Sequence, residues 1–245
     1  VTTSPADHGA LGRPRTPPAR AVLLLFLALA AVHLAGLAAA PAGTAVAHAT
    51  KPALALALAG YTAARRGPWT LVVALLCGCA GDTLLQLDGD TAFLAGMGCF
   101  AAGHIAYLVL FTRMGGFSRA RRRTYVLAAC YAAVWAVSAL VLGADVGALR
   151  APLTGYGLLL AAMALGAAGP GPRTGTGGAL FVLSDGLIAT GLAHWPRLPG
   201  HQFWIMLTYL AAQYLLTTGV LDAAATPPRG RPAARSTASS PPSAR

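Results

Sequence analysis

The chain holds seven aspartates, no glutamate and a single lysine, so an ionisable group inside an apolar stretch is conspicuous. Lys51, Asp82 and Asp185 all lie in such stretches. At membrane depth a group of this kind is costly unless paired or hydrated, which makes each a candidate site. Lys51 precedes Pro52, which lacks a backbone donor and so frees a carbonyl nearby. Lys51 and Asp82 fall on consecutive apolar blocks, at similar depth and with opposite charge. A structural ion pair and one half of a reactive site both fit that spacing. Asp185 follows Ser184 and has no cation in its own block. A carboxyl so situated is held as the neutral acid or strongly hydrated. Bonding to a neighbouring helix and proton donation are both open to it.

His104 with Tyr107 one turn on, and Tyr209, Gln213 and Thr217 at every fourth residue, align polar groups on two further blocks. Gly78, Asp82 and Gln86 share a face in the same way. Interhelical hydrogen bonding explains such pairs and stripes; so does the lining of a buried site. Several helices therefore each aim a polar group at one layer of the membrane.

The elements that carry these residues are legible from composition. Of 245 residues 56% are hydrophobic and only 10% charged, against about 25% charged in a soluble domain. The sequence predicts an all-α fold, a polytopic transmembrane helical bundle of about eight helices, each near the roughly 20 residues needed to cross the hydrocarbon core. The blocks are Ala21–Ala40, Thr44–Ala64, Pro68–Leu87, Thr91–Thr112, Thr124–Leu142, Leu149–Ala168, Gly177–His194 and Phe203–Asp222. Residues 1–20 read as a disordered basic tail, 21–225 as the transmembrane bundle, and 226–245 as a disordered Pro/Ser/Arg-rich tail. Arg13, Arg15 and Arg20 before the first block also suit a cleavable leader. Its length and the short Pro-Ala-Gly turn after it favour a retained helix. The Gly/Pro-rich run at 169–178 reads as a flexible loop, since it lacks the Gly-Lys-Ser/Thr ending of a phosphate loop.

The net charge of +11 raises nucleic acid as a partner, but its distribution speaks for topology and anionic headgroups instead. With the N-terminus inside, fifteen Arg fall in the tails and inner loops, and only Lys51, Arg150 and Arg197 fall outside. That bias predicts both termini in the cytoplasm, with Asp88, Asp90 and Asp145 outside. Membrane lipids are the expected partners. The Ala/Gly/Arg/Pro-rich composition suggests GC-rich coding and a bacterial cytoplasmic (plasma) membrane. Cys77, Cys79, Cys99 and Cys130 lie in apolar blocks and read as small buried thiols. No nucleophile elbow, zinc-peptidase signature or nucleotide fingerprint is present.

The segments Thr50-Lys51-Pro52, Ala80-Gly81-Asp82-Thr83-Leu84-Leu85, Phe93…Gly96…Phe100…His104-Ile105-Ala106-Tyr107, Gly178 to Asp185 and Thr208-Tyr209-Leu210-Ala211-Ala212-Gln213 occur in order. From Thr50 to Leu221 the chain resembles the YhhN-type lysoplasmalogenases, a family of eight-helix membrane proteins. It departs from their pattern at Thr190-Gly191-Leu192 and at Leu210. The resemblance implies hydrolysis of the vinyl-ether bond of a lysoplasmalogen, a lysophospholipid, to a fatty aldehyde and a glycerophospho-base. It implies Asp82 and Asp185 as catalytic carboxyls. Depth makes Asp82 beside Lys51 the ionised one and Asp185 the acid, unless the helix arrangement brings Lys51 to Asp185 instead. Lys51, His104, Tyr107, Ser184, Tyr209 and Gln213 would support them or position substrate. The chemistry needs no metal or cofactor. A proton-coupled carrier using Asp and Lys as a relay, or a non-catalytic lipid-binding protein, are the alternatives; aldehyde release separates them from the enzyme.

Overall fold

The structure, a computed structural model, describes residues 17–117, 122–141 and 146–225. Among these residues the chain forms eight α-helices: α1 (Pro17–Ala38), α2 (Thr44–Ala64), α3 (Trp69–Leu84), α4 (Asp90–Arg113), α5 (Arg122–Val141), α6 (Arg150–Ala167), α7 (Pro172–Leu192) and α8 (His201–Ala225). A single 3-10 turn at Gly147–Leu149 leads into α6. Residues 1–16 of the expected N-terminal tail and all of the C-terminal one lie outside the described residues, as do Arg119, Arg121 and Asp145.

The all-α bundle is as the hydropathy predicts. Six helices (α1 and α4 to α8) are long and apolar enough to cross a membrane. The other two differ from that expectation for separate reasons. α3 is apolar but has 16 residues, about 24 Å at about 1.5 Å per residue, short of a hydrocarbon core of about 30 Å. It ends at Leu84, so Gln86 falls in the following turn and leaves the face shared by Gly78 and Asp82. α2 has the length, 21 residues, but carries His48, Thr50 and Lys51.

Neighbouring helices close a ring in the order α1, α2, α3, α4, α6, α7, α8 and back to α1. α5 stands outside it, packed on α6 and in no more than slight contact with any other helix. No residue of α5 is buried, and Val134, Val137 and Leu140 are exposed. Lipid, not water, suits such a surface, as it does the exposed Leu24, Leu25 and Leu27 of α1.

Small residues set how near the helices come. The run at 169–178, expected as a loop, is helical from Pro172 onward. Proline is at home in a first turn, where its missing N–H has no partner to lose. The glycines after it serve contact. A Cβ on Gly177 would come within 2.9 Å of the Leu216 backbone nitrogen, and one on Gly178 within 3.0 Å of the Ala164 Cα. Gly177 and Gly178 thus let α7 lie against α8 and α6 at backbone distance. Asp185 lies seven residues from the C-terminal end of α7.

Candidate active site

Lys51, Asp82 and Asp185 come from α2, α3 and α7, yet all three border one cavity of about 350 Å³. The cavity is confined to one end of the bundle. Its walls come from the beginnings of α4, α6 and α8 and from the later turns of α3, α5 and α7. Two polar clusters open onto it.

The first is built on the pair that sequence spacing anticipates. Lys51 Nζ lies 3.4 Å from Asp82 Oδ1, with the lysine side chain 20% exposed and the carboxylate 5%. Lys51 thereby serves Asp82, not Asp185. On α8, the Tyr209 hydroxyl donates to Asp82 Oδ2 at 2.8 Å. Gln213 Nε2 donates to the Tyr209 oxygen at 3.2 Å, and the Tyr107 hydroxyl of α4 donates to Gln213 Oε1 at 2.7 Å. The stripe on α8 is therefore a continuous chain from α4 to the carboxylate, crossing the centre of the ring. Gly78 makes room for it, since a Cβ there would stand 3.2 Å from the Tyr209 oxygen. Thr217, one turn beyond Gln213, has a buried hydroxyl with no partner among the described residues.

The second cluster surrounds Asp185 and contains a residue that the sequence reading did not single out. The Tyr156 hydroxyl of α6 makes a short hydrogen bond to Asp185 Oδ2. His104 Nε2 of α4 lies 2.9 Å from the same hydroxyl and 4.0 Å from Asp185 Oδ2. His104 thus reaches Asp185 through Tyr156. It does not border the cavity, being wedged between the rings of Tyr156 and Phe181 at centroid distances of 5.4 and 4.8 Å. Ser184 borders the cavity but commits its hydroxyl to the Ile205 carbonyl of α8 at 3.1 Å. The available signal for Tyr156 was modest: it is the sole tyrosine in the sixth apolar block.

Phe181 stands between the clusters, edge-on to both His104 and Tyr209. Beyond the carboxyls the cavity wall turns apolar, with Phe93 and Met97 of α4, Val134 and Trp135 of α5 and Leu160 of α6. Trp135 is held there by its indole N–H, which donates to the Thr154 carbonyl at 2.9 Å. Arg150, the first residue of α6, also borders the cavity. The cavity thus joins a stretch of wall with two carboxyls, a lysine and an arginine to a largely apolar remainder.

Residues 44–220 match the model of the YhhN family. The chain belongs to the YhhN family. Its curated relatives include "Lysoplasmalogenase TMEM86B" of Homo sapiens, 35% identical over 66% of this chain and 65% of that protein. The Sus scrofa protein of the same name is 34% identical over 66% and 65%. That of Rattus norvegicus is 33% identical over 70% of each. The chain thus spans 65% of the length of the human and pig proteins. No solved structure matches. This YhhN protein is a multi-pass integral membrane protein related to lysoplasmalogenases at about 35% identity.

Proposed function

We propose that this YhhN protein is a membrane-embedded hydrolase that cleaves the vinyl-ether bond of a lysoplasmalogen, giving a fatty aldehyde and a glycerophospho-base. The observation that carries the reading is a pair of aspartates with unlike partners on one cavity: Asp82 beside a lysine, Asp185 beside a tyrosine. The names of the relatives support the same substrate.

A vinyl ether resists base. It opens when a proton is delivered to the carbon remote from oxygen, which leaves an oxocarbenium ion for water to capture. Asp185, facing no cation but a neutral hydroxyl, is the acid that gives this proton. Asp82, kept anionic by Lys51, faces the positive charge and accepts a proton from the attacking water. The product is a hemiacetal. Asp82 then returns its proton to the glycerol oxygen as the C–O bond breaks, while the Asp185 carboxylate takes the hemiacetal hydroxyl proton. Both residues end as they began, and one water is consumed.

Arg150 is six residues before Tyr156 on α6, about 9 Å along the axis. That separation suits a headgroup phosphate at Arg150 with the ether oxygen near Asp185, and the fatty chain along the apolar wall. The arginine bias supports an orientation with both termini in the cytoplasm and the cavity end outward. Substrate then enters from the outer leaflet, in a bacterial cytoplasmic membrane if the composition is a guide.

Purified protein given lysoplasmalogen in detergent should release fatty aldehyde, and an ester-linked lysophospholipid should yield none. Binding of the ether lipid without aldehyde would make this a lipid-binding protein, and solute flux in proteoliposomes without turnover would make it a carrier.

A further inference from the structure

Hydrogen atoms around Tyr156 have to be shared among three residues, and the sharing has a direction. The Tyr156 hydroxyl has one proton and, among the described residues, two hydrogen-bond partners: Asp185 Oδ2 and His104 Nε2. If the proton goes to Asp185, His104 must donate from Nε2, which leaves Nδ1 as a bare lone pair. If it goes to His104, Nδ1 carries the ring proton instead, and Asp185 must donate from Oδ2 to the tyrosine oxygen. Nδ1 decides between these arrangements. It is buried with no partner among the described residues, and His104 is 1% exposed. A buried N–H without an acceptor is rarer in proteins than an acceptor without a donor. The bare Nδ1 arrangement is therefore preferred, and the chain runs from His104 through Tyr156 to Asp185.

That direction fixes where the acid keeps its proton. Oδ2 accepts from Tyr156, and the carbonyl oxygen of a neutral carboxyl is a better acceptor than its hydroxyl, so a neutral Asp185 carries its proton on Oδ1. Asp185 borders the cavity, with its side chain 14% exposed. We propose that His104 and Tyr156 are positioning residues that hold the Asp185 proton on Oδ1, the oxygen not bonded to the tyrosine, His104 acting only by orienting the tyrosine hydroxyl. Its effect on turnover rests on the hydrolase reading above.

Five variants and two readouts test this, in purified full-length protein in detergent. Tyr156→Phe keeps the ring and loses the bond; kcat for lysoplasmalogen should fall about 100-fold with KM within about twofold. His104→Leu should lose as much, and the double variant no more than either one. His104→Gln, whose terminal N–H can stand where Nε2 stood, should retain most of the activity. The second readout is the carboxylic C=O stretch in the infrared, assigned to Asp185 by its loss in Asp185→Asn. It should shift in Tyr156→Phe and in His104→Leu but not in His104→Gln, whether or not the protein turns over this lipid. Multiplying losses, equal behaviour of His104→Gln and His104→Leu, or an unmoved stretch in Tyr156→Phe would each overturn the proposal. Absence of aldehyde from wild type with the infrared pattern intact would overturn the hydrolase reading alone.

Discussion

Asp82 and Asp185 are the same side chain on the same cavity, yet they are held by opposite means. Asp82 has a cation at 3.4 Å and a tyrosine at 2.8 Å, and its support crosses the ring to α4 through Gln213. Asp185 has one hydroxyl, and behind it a histidine that is cut off from the cavity. The difference teaches that two carboxyls on one cavity can be given unlike partners, a cation for one and a neutral hydroxyl for the other. In the proposed mechanism the first cluster would hold a charge and the second a proton.

The largest effects should come from removing each carboxyl in turn, and these break the comparison most directly. Asp82→Asn and Asp185→Asn should each lower aldehyde release by about a thousandfold or more. Their stabilities should diverge. Asp82→Asn leaves Lys51 mostly buried without its counter-charge, and breaking a buried pair costs about 3–5 kcal/mol; with Lys51 20% exposed the lower end applies. A thermal melt in detergent should drop for Asp82→Asn and stay near wild type for Asp185→Asn. Equal melts would mean that the lysine pair contributes no more than the tyrosine bond.

Next comes Lys51→Met. With the cation gone Asp82 should no longer hold its negative charge, and activity should fall about 100-fold, read by the same aldehyde assay. Combining Lys51→Met with Asp82→Asn should recover much of the melting temperature lost in Asp82→Asn, because no unpaired charge is left, while activity stays absent.

Tyr209→Phe sharpens the contrast. It removes a hydrogen bond to a charged group, worth about 1.5–3 kcal/mol, and should cost about ten- to a hundredfold in kcat. The smallest effect belongs to Arg150→Gln at the rim. KM for lysoplasmalogen should rise about tenfold, with kcat little changed and an alkenylglycerol lacking phosphate turned over as before. A fall in kcat instead would move Arg150 from headgroup binding into the chemistry.

Most of the first cluster could be read from the chain. Lys51 and Asp82 are opposite charges on successive helices, and successive helices are packed side by side in α2 and α3. Tyr209 and Gln213 were visible as a helical stripe, because spacing of four is a local property. Tyr156 was not visible in that way. Its partners are 29 and 52 residues away, and only the packing of α6 against both α4 and α7 brings them together. That order could not be read from hydropathy, which counts helices without arranging them. The early start of α7 was obscured because glycine and proline ordinarily end helices, whereas here they begin one and let it pack. Ser184 sat beside the expected acid in sequence, but a helix turns adjacent side chains about 100° apart, and its hydroxyl went to α8.

α5 is held to the bundle from one side, by its packing on α6. The polar clusters draw on α2, α3, α4, α6, α7 and α8, none of which depends on α5 for its place in the ring. α5 is thus an outer wall of the cavity that contributes no side chain to either polar cluster. In the proposed reaction a fatty chain would lie against it, and its contacts with α6 and the Trp135 bond are what hold it there. Neither carboxyl takes a partner from α5, so in the proposed reaction fit to the fatty chain and cleavage of the ether bond would fall to separate parts of the molecule.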